Sequence, residues 1–125
     1  MKIYAYPGDR VDFVSKSGGA GSMVFGDSRQ LAEEFFGAPH TAEGEEISYF
    51  SGSIVLRFAE DKLTDITLFP SKSVHEKVDV YLGKTRLSGL DQESLAQAAG
   101  NAIDVEWDGT LQRVTIPVSY THLTL

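Results

Sequence analysis

The sequence predicts an α+β fold: two similar strand–helix–hairpin units forming mostly antiparallel sheet, with a short helix packed on each unit. Three observations carry this. Two short helix signatures, at 27–37 and 91–100, each open on an aspartate and stop on a glycine. Around them apolar and polar residues alternate over short runs, which is the pattern of strands with one buried face. Glycine-bearing turns, Ser51-Gly52 and Asp108-Gly109 among them, divide the runs into hairpins.

In chain order, Lys2–Tyr6 alternates around Ile3 and reads as a strand that stops at Pro7-Gly8; Val11–Val14 is a second strand or its continuation past a bulge. Ser15–Gly21 is a glycine-rich loop. The stretch Ser22–Pro39 then carries the clearest local signal. Asp27 follows the apolar run Met23-Val24-Phe25, where its carboxylate is placed to cap a helix, with Gln30 three residues on as in a capping box. Leu31/Phe35 and Ala32/Phe36 fall at i, i+4, so Leu31, Phe35 and Phe36 are expected inward and Arg29, Glu33 and Glu34 outward. Gly37 and Pro39 end the helix. At about ten residues it is too short to stand alone and must lie on a sheet. After an acidic loop, His40–Glu46, the runs Ile47–Phe50, Ser53–Phe58 and Leu63–Phe69 form a three-stranded meander for the helix to cover.

Val78–Leu82 reads as a strand, and Asp91–Ala99 as a second helix with Asp91 as cap, Leu95 inward and Leu90 stapled to it. Ile103–Trp107 and Leu111–Pro117 complete a hairpin. Both helices share Asp-x-x-x-Leu-Ala and a closing glycine, so 22–69 and 78–117 are read as an internal pseudo-repeat within a single domain, 1–125. On that reading the second unit lacks a third hairpin strand after Pro117. The residues found there, Val118–Leu125, resemble a vector-derived ending; a natural final strand is the alternative.

Composition limits the function classes. The chain has 125 residues, is 42% hydrophobic, and carries a net charge of −7. That charge argues against nucleic-acid binding, which needs a cationic face, and favours a basic protein partner. Without cysteine there are no disulfides, thiolate metal sites or cysteine nucleophiles. No run is long enough to span a membrane and the first residues lack a signal-peptide core, so a cytoplasmic protein is expected.

Chemical motifs are sparse. His40, His75 and His122 stand apart, with no metal-ligand spacing, and no cofactor is expected. Ser17–Ser22 has the glycines of a phosphate loop but runs into a strand and lacks the lysine-serine ending. The carboxylates Glu33, Glu34, Glu43, Glu45, Glu46, Glu60 and Asp61 select no catalytic pair. They read as a solvated face that steers a cationic partner, while Lys72, His75, Lys77, Lys84 and Arg86 make the connector between the units basic. Tyr49 and Phe50, as strand neighbours, are expected on opposite faces, and Trp107 packs beside its turn or meets a partner.

The run GDSRQLAEEFFGAP, Gly26–Pro39, resembles a pattern of small bacterial α+β proteins: strand, Gly-x-Ser-Arg, short amphipathic helix, Gly-x-Pro. It occurs in lipoproteins of the outer-membrane assembly machinery and in several families of toxin-immunity proteins. The lipoprotein reading lacks its lipidation cysteine. The immunity resemblance implies a small, acidic, cytoplasmic, non-enzymatic inhibitor of a basic toxin domain, with Arg29, Glu33, Glu34, Glu43, Glu45, Glu46 and Trp107 as candidate partner-binding residues. The competing readings are a small-molecule binder or unrecognised enzyme with a cleft between the two units, and a structural or assembly module.

Overall fold

The computed structural model describes residues 1–15, 18–72 and 78–117. The loop residues Lys16 and Ser17, the connector residues His75 and Lys77, and the tail Val118–Leu125 with His122 lie outside the described residues.

Two sheets face each other across one core. In the first, β1 (Lys2–Tyr6), β2 (Arg10–Val14) and β3 (Ala20–Val24) form an antiparallel meander. On the other side of β1 lies β8 (Asp79–Leu82), followed by the two-residue β9 (Thr85–Arg86), giving the order β3-β2-β1-β8-β9. The second sheet comprises β4 (Thr41–Glu43), β5 (Glu46–Tyr49), β6 (Ile54–Ala59), β7 (Lys62–Leu68), β10 (Asp104–Trp107) and β11 (Leu111–Pro117), in the order β10-β11-β7-β6-β5-β4. Every pairing is antiparallel except β1 with β8, which is parallel with Tyr4 beside Tyr81. The fold is therefore α+β with mostly antiparallel sheet, as the alternation predicts.

Alternation decides which face each sheet buries. Ile3, Ala5, Val11, Phe13, Met23 and Val80 point inward from the first sheet. Ile47, Leu56, Ile66, Leu68, Val114 and Ile116 meet them from the second, and all belong to one contiguous cluster. The meander β5-β6-β7 shares this core with the first sheet, and α1 (Arg29–Phe36) packs on its Tyr49 end through Phe36. The helices α1 and α2 (Gln92–Ala99) sit where the chain passes from one sheet to the other.

The third strand expected after Pro117 falls on Val118–Leu125, outside the described residues; among the described residues β11 lies between β10 and β7, and β10 and β4 are the edges of its sheet.

Both helix caps use a side chain, but the first is shifted by one residue. Ser28, not Asp27, caps α1: its Oγ accepts from Leu31 N at 3.2 Å. Asp27 turns back instead, and its Oδ2 accepts from Val24 N at 2.9 Å. The reason is tertiary. The backbone of Gly26 and Asp27 pairs with Leu63 at the start of β7 (2.9 and 2.8 Å), which keeps Asp27 extended and starts the helix one residue later. In α2, Asp91 is the cap, accepting from Ser94 N at 2.8 Å. That hydrogen bond holds its carboxyl below the usual range. Leu95 and Ala99 are buried and Leu90 packs partly against the core.

Two turns are longer than their sequences suggest. Tyr49 pairs with Ile54, so Phe50–Ser53 form a four-residue loop, with Phe50 and Ser51 both at positive φ (53° and 58°). Trp107 pairs with Leu111 after a bulge, leaving Asp108–Thr110 as a three-residue loop. The His40–Glu46 stretch is not a loop throughout, since Thr41–Glu43 forms the edge strand β4 against β5.

Candidate functional site

The candidate surface is built from α1 and the β4–β5 hairpin, which three contacts lock together. Arg29 Nη1 donates to Gly44 O in the hairpin turn at 3.2 Å. The Tyr49 hydroxyl donates to Gly37 O at the helix end at 3.1 Å. Between them, the rings of Phe36 and Tyr49 lie 4.7 Å apart. A fourth tie comes from the β6–β7 turn, where Asp61 Oδ1 accepts from Arg29 N at 3.2 Å. Asp61 and its neighbour Glu60 both stand at positive φ (61° and 51°), which aims the Asp61 carboxylate at the free N–H groups of the helix start.

Phe36 is the hub of this packing. Its ring meets Phe13 edge-on at 5.0 Å, Phe35 at 4.6 Å and Phe50 at 6.3 Å, as well as Tyr49. Tyr49 and Phe50 therefore do not point to opposite faces. The left-handed turn after Tyr49 swings Phe50 back onto the same cluster. Burial pushes the Tyr49 hydroxyl above its ordinary pKa, with nearby Glu33 adding to the effect and Arg29 opposing it.

The sequence expectation for the helix is half corrected. Ala32 is fully buried and Phe36 partly so, but Leu31 and Phe35 are 47% and 40% exposed. An eight-residue helix at the junction of two sheets has room for one inward row, Ala32/Phe36, and the neighbouring row is left facing solvent. Phe35 lies over Gly21 in β3 and beside the rings of Phe13 and Phe36. The glycine that resembled part of a phosphate loop is a seat for an aromatic ring.

The structure brings five of the candidate acids to this region. Glu33 and Glu34 are exposed on α1. Glu43 and Glu46 stand directly opposite each other across β4–β5, with Glu45 in the turn between them. Arg57 of β6, 3.9 Å from Glu46, and Arg29 offset only part of this charge. Trp107 is not brought to it. It lies on β10, at the far edge of the second sheet from β4, about 24 Å away at ordinary strand spacing. Its ring packs on the core and its Nε1 donates to Leu90 O at 3.3 Å.

No catalytic set assembles among the described residues. A 310 Å³ recess beside β4 and β5 is lined by His40, Glu43, Glu46 and Lys72. A second, of about 420 Å³, crosses the outer face of the second sheet and holds Glu46, Asp65 and Asp104. Glu46 and Asp65 are separated by one intervening strand, about 9–10 Å, and Asp104, in register with Thr67, lies farther from Asp65. Burial raises the Asp65 carboxyl, against the pull of Arg57 and a hydrogen bond from Thr64. Asp104 is paired with Arg113 at 3.2 Å. No cluster of three or more His, Cys, Asp or Glu side chains is placed to hold a metal ion among the described residues, and no helix there is long and apolar enough to cross a membrane.

One surface escaped the sequence reading. The outer face of the first sheet carries Tyr4, Tyr6 and Tyr81 opposite the buried Ile3, Ala5 and Val80. The period-two spacing of Tyr4 and Tyr6 was the available signal. The parallel pairing that stacks Tyr81 on Tyr4 at 4.6 Å had none.

Comparison with protein-family models, with curated proteins and with solved structures finds no match.

Proposed function

We propose that this chain is a non-catalytic protein-binding module that takes a basic protein partner on the α1/β4–β5 surface, in the manner of an immunity protein neutralising a basic toxin domain. The observation that supports it is the outward row of α1. Leu31 and Phe35 stand exposed, one turn apart, on a helix that also carries Glu33 and Glu34, and the hairpin tied to that helix carries Glu43, Glu45 and Glu46. An aromatic and an aliphatic anchor on an element surrounded by acidic neighbours in the chain suits an interface whose charge steers an oppositely charged partner. The hairpin and the helix are tied to one another, so the surface is preformed and little ordering entropy opposes docking.

The test is co-expression with each basic domain that the genes neighbouring this one encode, followed by co-purification and a growth assay. Phe35→Asp should abolish the complex and the protection. The pair Glu33→Lys/Glu34→Lys should slow association about tenfold or more, most strongly at low salt. Trp107→Phe should leave binding intact. Unchanged binding in Phe35→Asp, or no complex with any of those domains, would overturn the reading.

A further inference from the structure

We propose that the outer face of the first sheet is a carbohydrate-binding trough that takes a neutral pyranose ring against Tyr4 and Asp12. The trough, of about 460 Å³, is lined by Tyr4, Tyr6, Asp12, Val14, Ala20 and Ser22. Its shape follows from the strands. On β1, Tyr4 and Tyr6 form a tall wall; across β2 the next strand carries only Ala20 and Ser22, so the far side is low.

The aromatic surfaces are allotted unequally. One face of Tyr4 is covered by Tyr81, stacked at 4.6 Å with the planes inclined by 24°. Tyr6 carries the Arg10 guanidinium 4.4 Å from its ring centre. The face of Tyr4 turned away from Tyr81 looks toward β2, where Asp12 is its direct cross-strand neighbour. Asp12 Oδ1 accepts from Arg10 Nε at 3.0 Å and from Ser22 Oγ at 2.5 Å. Its Oδ2 has no partner among the described residues, and the side chain is 27% exposed.

That arrangement selects among ligands by chemistry. Arg10 is shared by Asp12 and Asp9, so the site has no free cation for a phosphate, and the guanidinium on Asp12 already fills the place of a bound cation. Asp9 beside Arg10 makes a nucleic-acid backbone less welcome still. A proline-rich peptide would bring carbonyl acceptors and needs donors beside several open rings. Here the group directly beside the Tyr4 ring is a carboxylate, an acceptor. A pyranose has what fits: an apolar C–H face for Tyr4 and adjacent hydroxyls that donate to Asp12 Oδ2. The trough is open along the strands, so an oligosaccharide can continue past it.

The experiment is an NMR titration of the intact protein with cellotetraose, chitotetraose and maltotetraose, each to about 10 mM, the range of weak single-site binding. A proline-rich decapeptide is run in parallel. Saturable shifts with at least one oligosaccharide, weakened about tenfold by Asp12→Asn and by Tyr4→Leu but unaltered by Trp107→Phe in the other sheet, are expected. Asp12→Asn keeps the size and exposure of the side chain, so it remains informative if Tyr4→Leu unfolds the β1–β8 pair. No binding to any of the three sugars, binding that survives Asp12→Asn, or binding of the peptide alone would overturn the proposal.

Discussion

A methyl group added at Gly21 tests how α1 is seated. Built there, it would lie 2.2 Å from Cε1 and 2.5 Å from Cζ of Phe35, far inside contact distance. Phe35 is 40% exposed, so the ring will swing into solvent before the β3 backbone yields. What is then lost is the burial of that ring and its contacts with Phe13 at 5.8 Å and Phe36 at 4.6 Å. Full burial of a phenylalanine is worth about 1.5–3 kcal/mol; with rather more than half the side chain covered, about 1–2 kcal/mol is at stake. Two aromatic contacts, each at the low end of about 0.5–1.5 kcal/mol because the ring is part-exposed, raise the loss to about 2–3 kcal/mol. Alanine suits a strand better than glycine by about 0.5–1 kcal/mol, leaving a net destabilisation of about 1–2 kcal/mol and a fall in Tm of roughly 3–8 °C. Urea denaturation of Gly21→Ala, Phe35→Ala and the double variant provides the measurement. Since the damage passes through one ring, Gly21→Ala should be neutral or slightly stabilising once Phe35 is alanine, a coupling of about 2 kcal/mol. Additive losses would refute the reasoning, because they would place the strain in the strand itself.

Three further outcomes are expected. Ser28→Ala should lower stability by about 1 kcal/mol in denaturant unfolding by removing the acceptor for Leu31 N, with Ser28→Asp restoring it; no loss would return the cap to Asp27. Tyr49→Phe should cost about 1 kcal/mol, since it deprives the Gly37 carbonyl of its donor at the helix end; a variant as stable as the parent would show that this tie between α1 and β5 is idle. Asp65→Asn should stabilise near neutral pH and have no such effect in acid. Burial raises the folded-state pKa of Asp65, so the folded protein holds its proton more tightly than the unfolded chain. Stability therefore falls as pH rises from the ordinary carboxylate pKa through the raised one, and the amide escapes that loss; a benefit independent of pH, read from melts across that window, would rule out the electrostatic cause.

Most element types were legible in the sequence, although the stretch of β4 reads as loop and β9 is not foreseen. Period-two alternation decided which side chains of β1, β6, β7 and β11 are buried, because a strand has only two faces and one of them must leave water. Asp91 and Gly100 bounded α2 because local hydrogen bonding and backbone sterics suffice to start and stop a helix. The acidic character of the α1/β4–β5 region was also legible, since Glu33 to Glu46 are near in sequence and cannot travel far apart.

Only the tertiary structure decided partners and orientation. Local pattern marks a buried face but not what covers it, so the meander, expected under α1 alone, shares its core with the first sheet and meets α1 at Tyr49. Leu31 and Phe35 follow from the same cause. The helical period makes them neighbours of Ala32 and Phe36, yet a helix wedged between two sheet ends has one row to bury, and the pairing of Gly26 and Asp27 with Leu63 chooses which. The parallel β1–β8 ladder, and with it the Tyr4–Tyr81 stack, joins residues far apart in the chain. Loop closure over that distance leaves no local trace, because its entropy depends only weakly on what the intervening residues are.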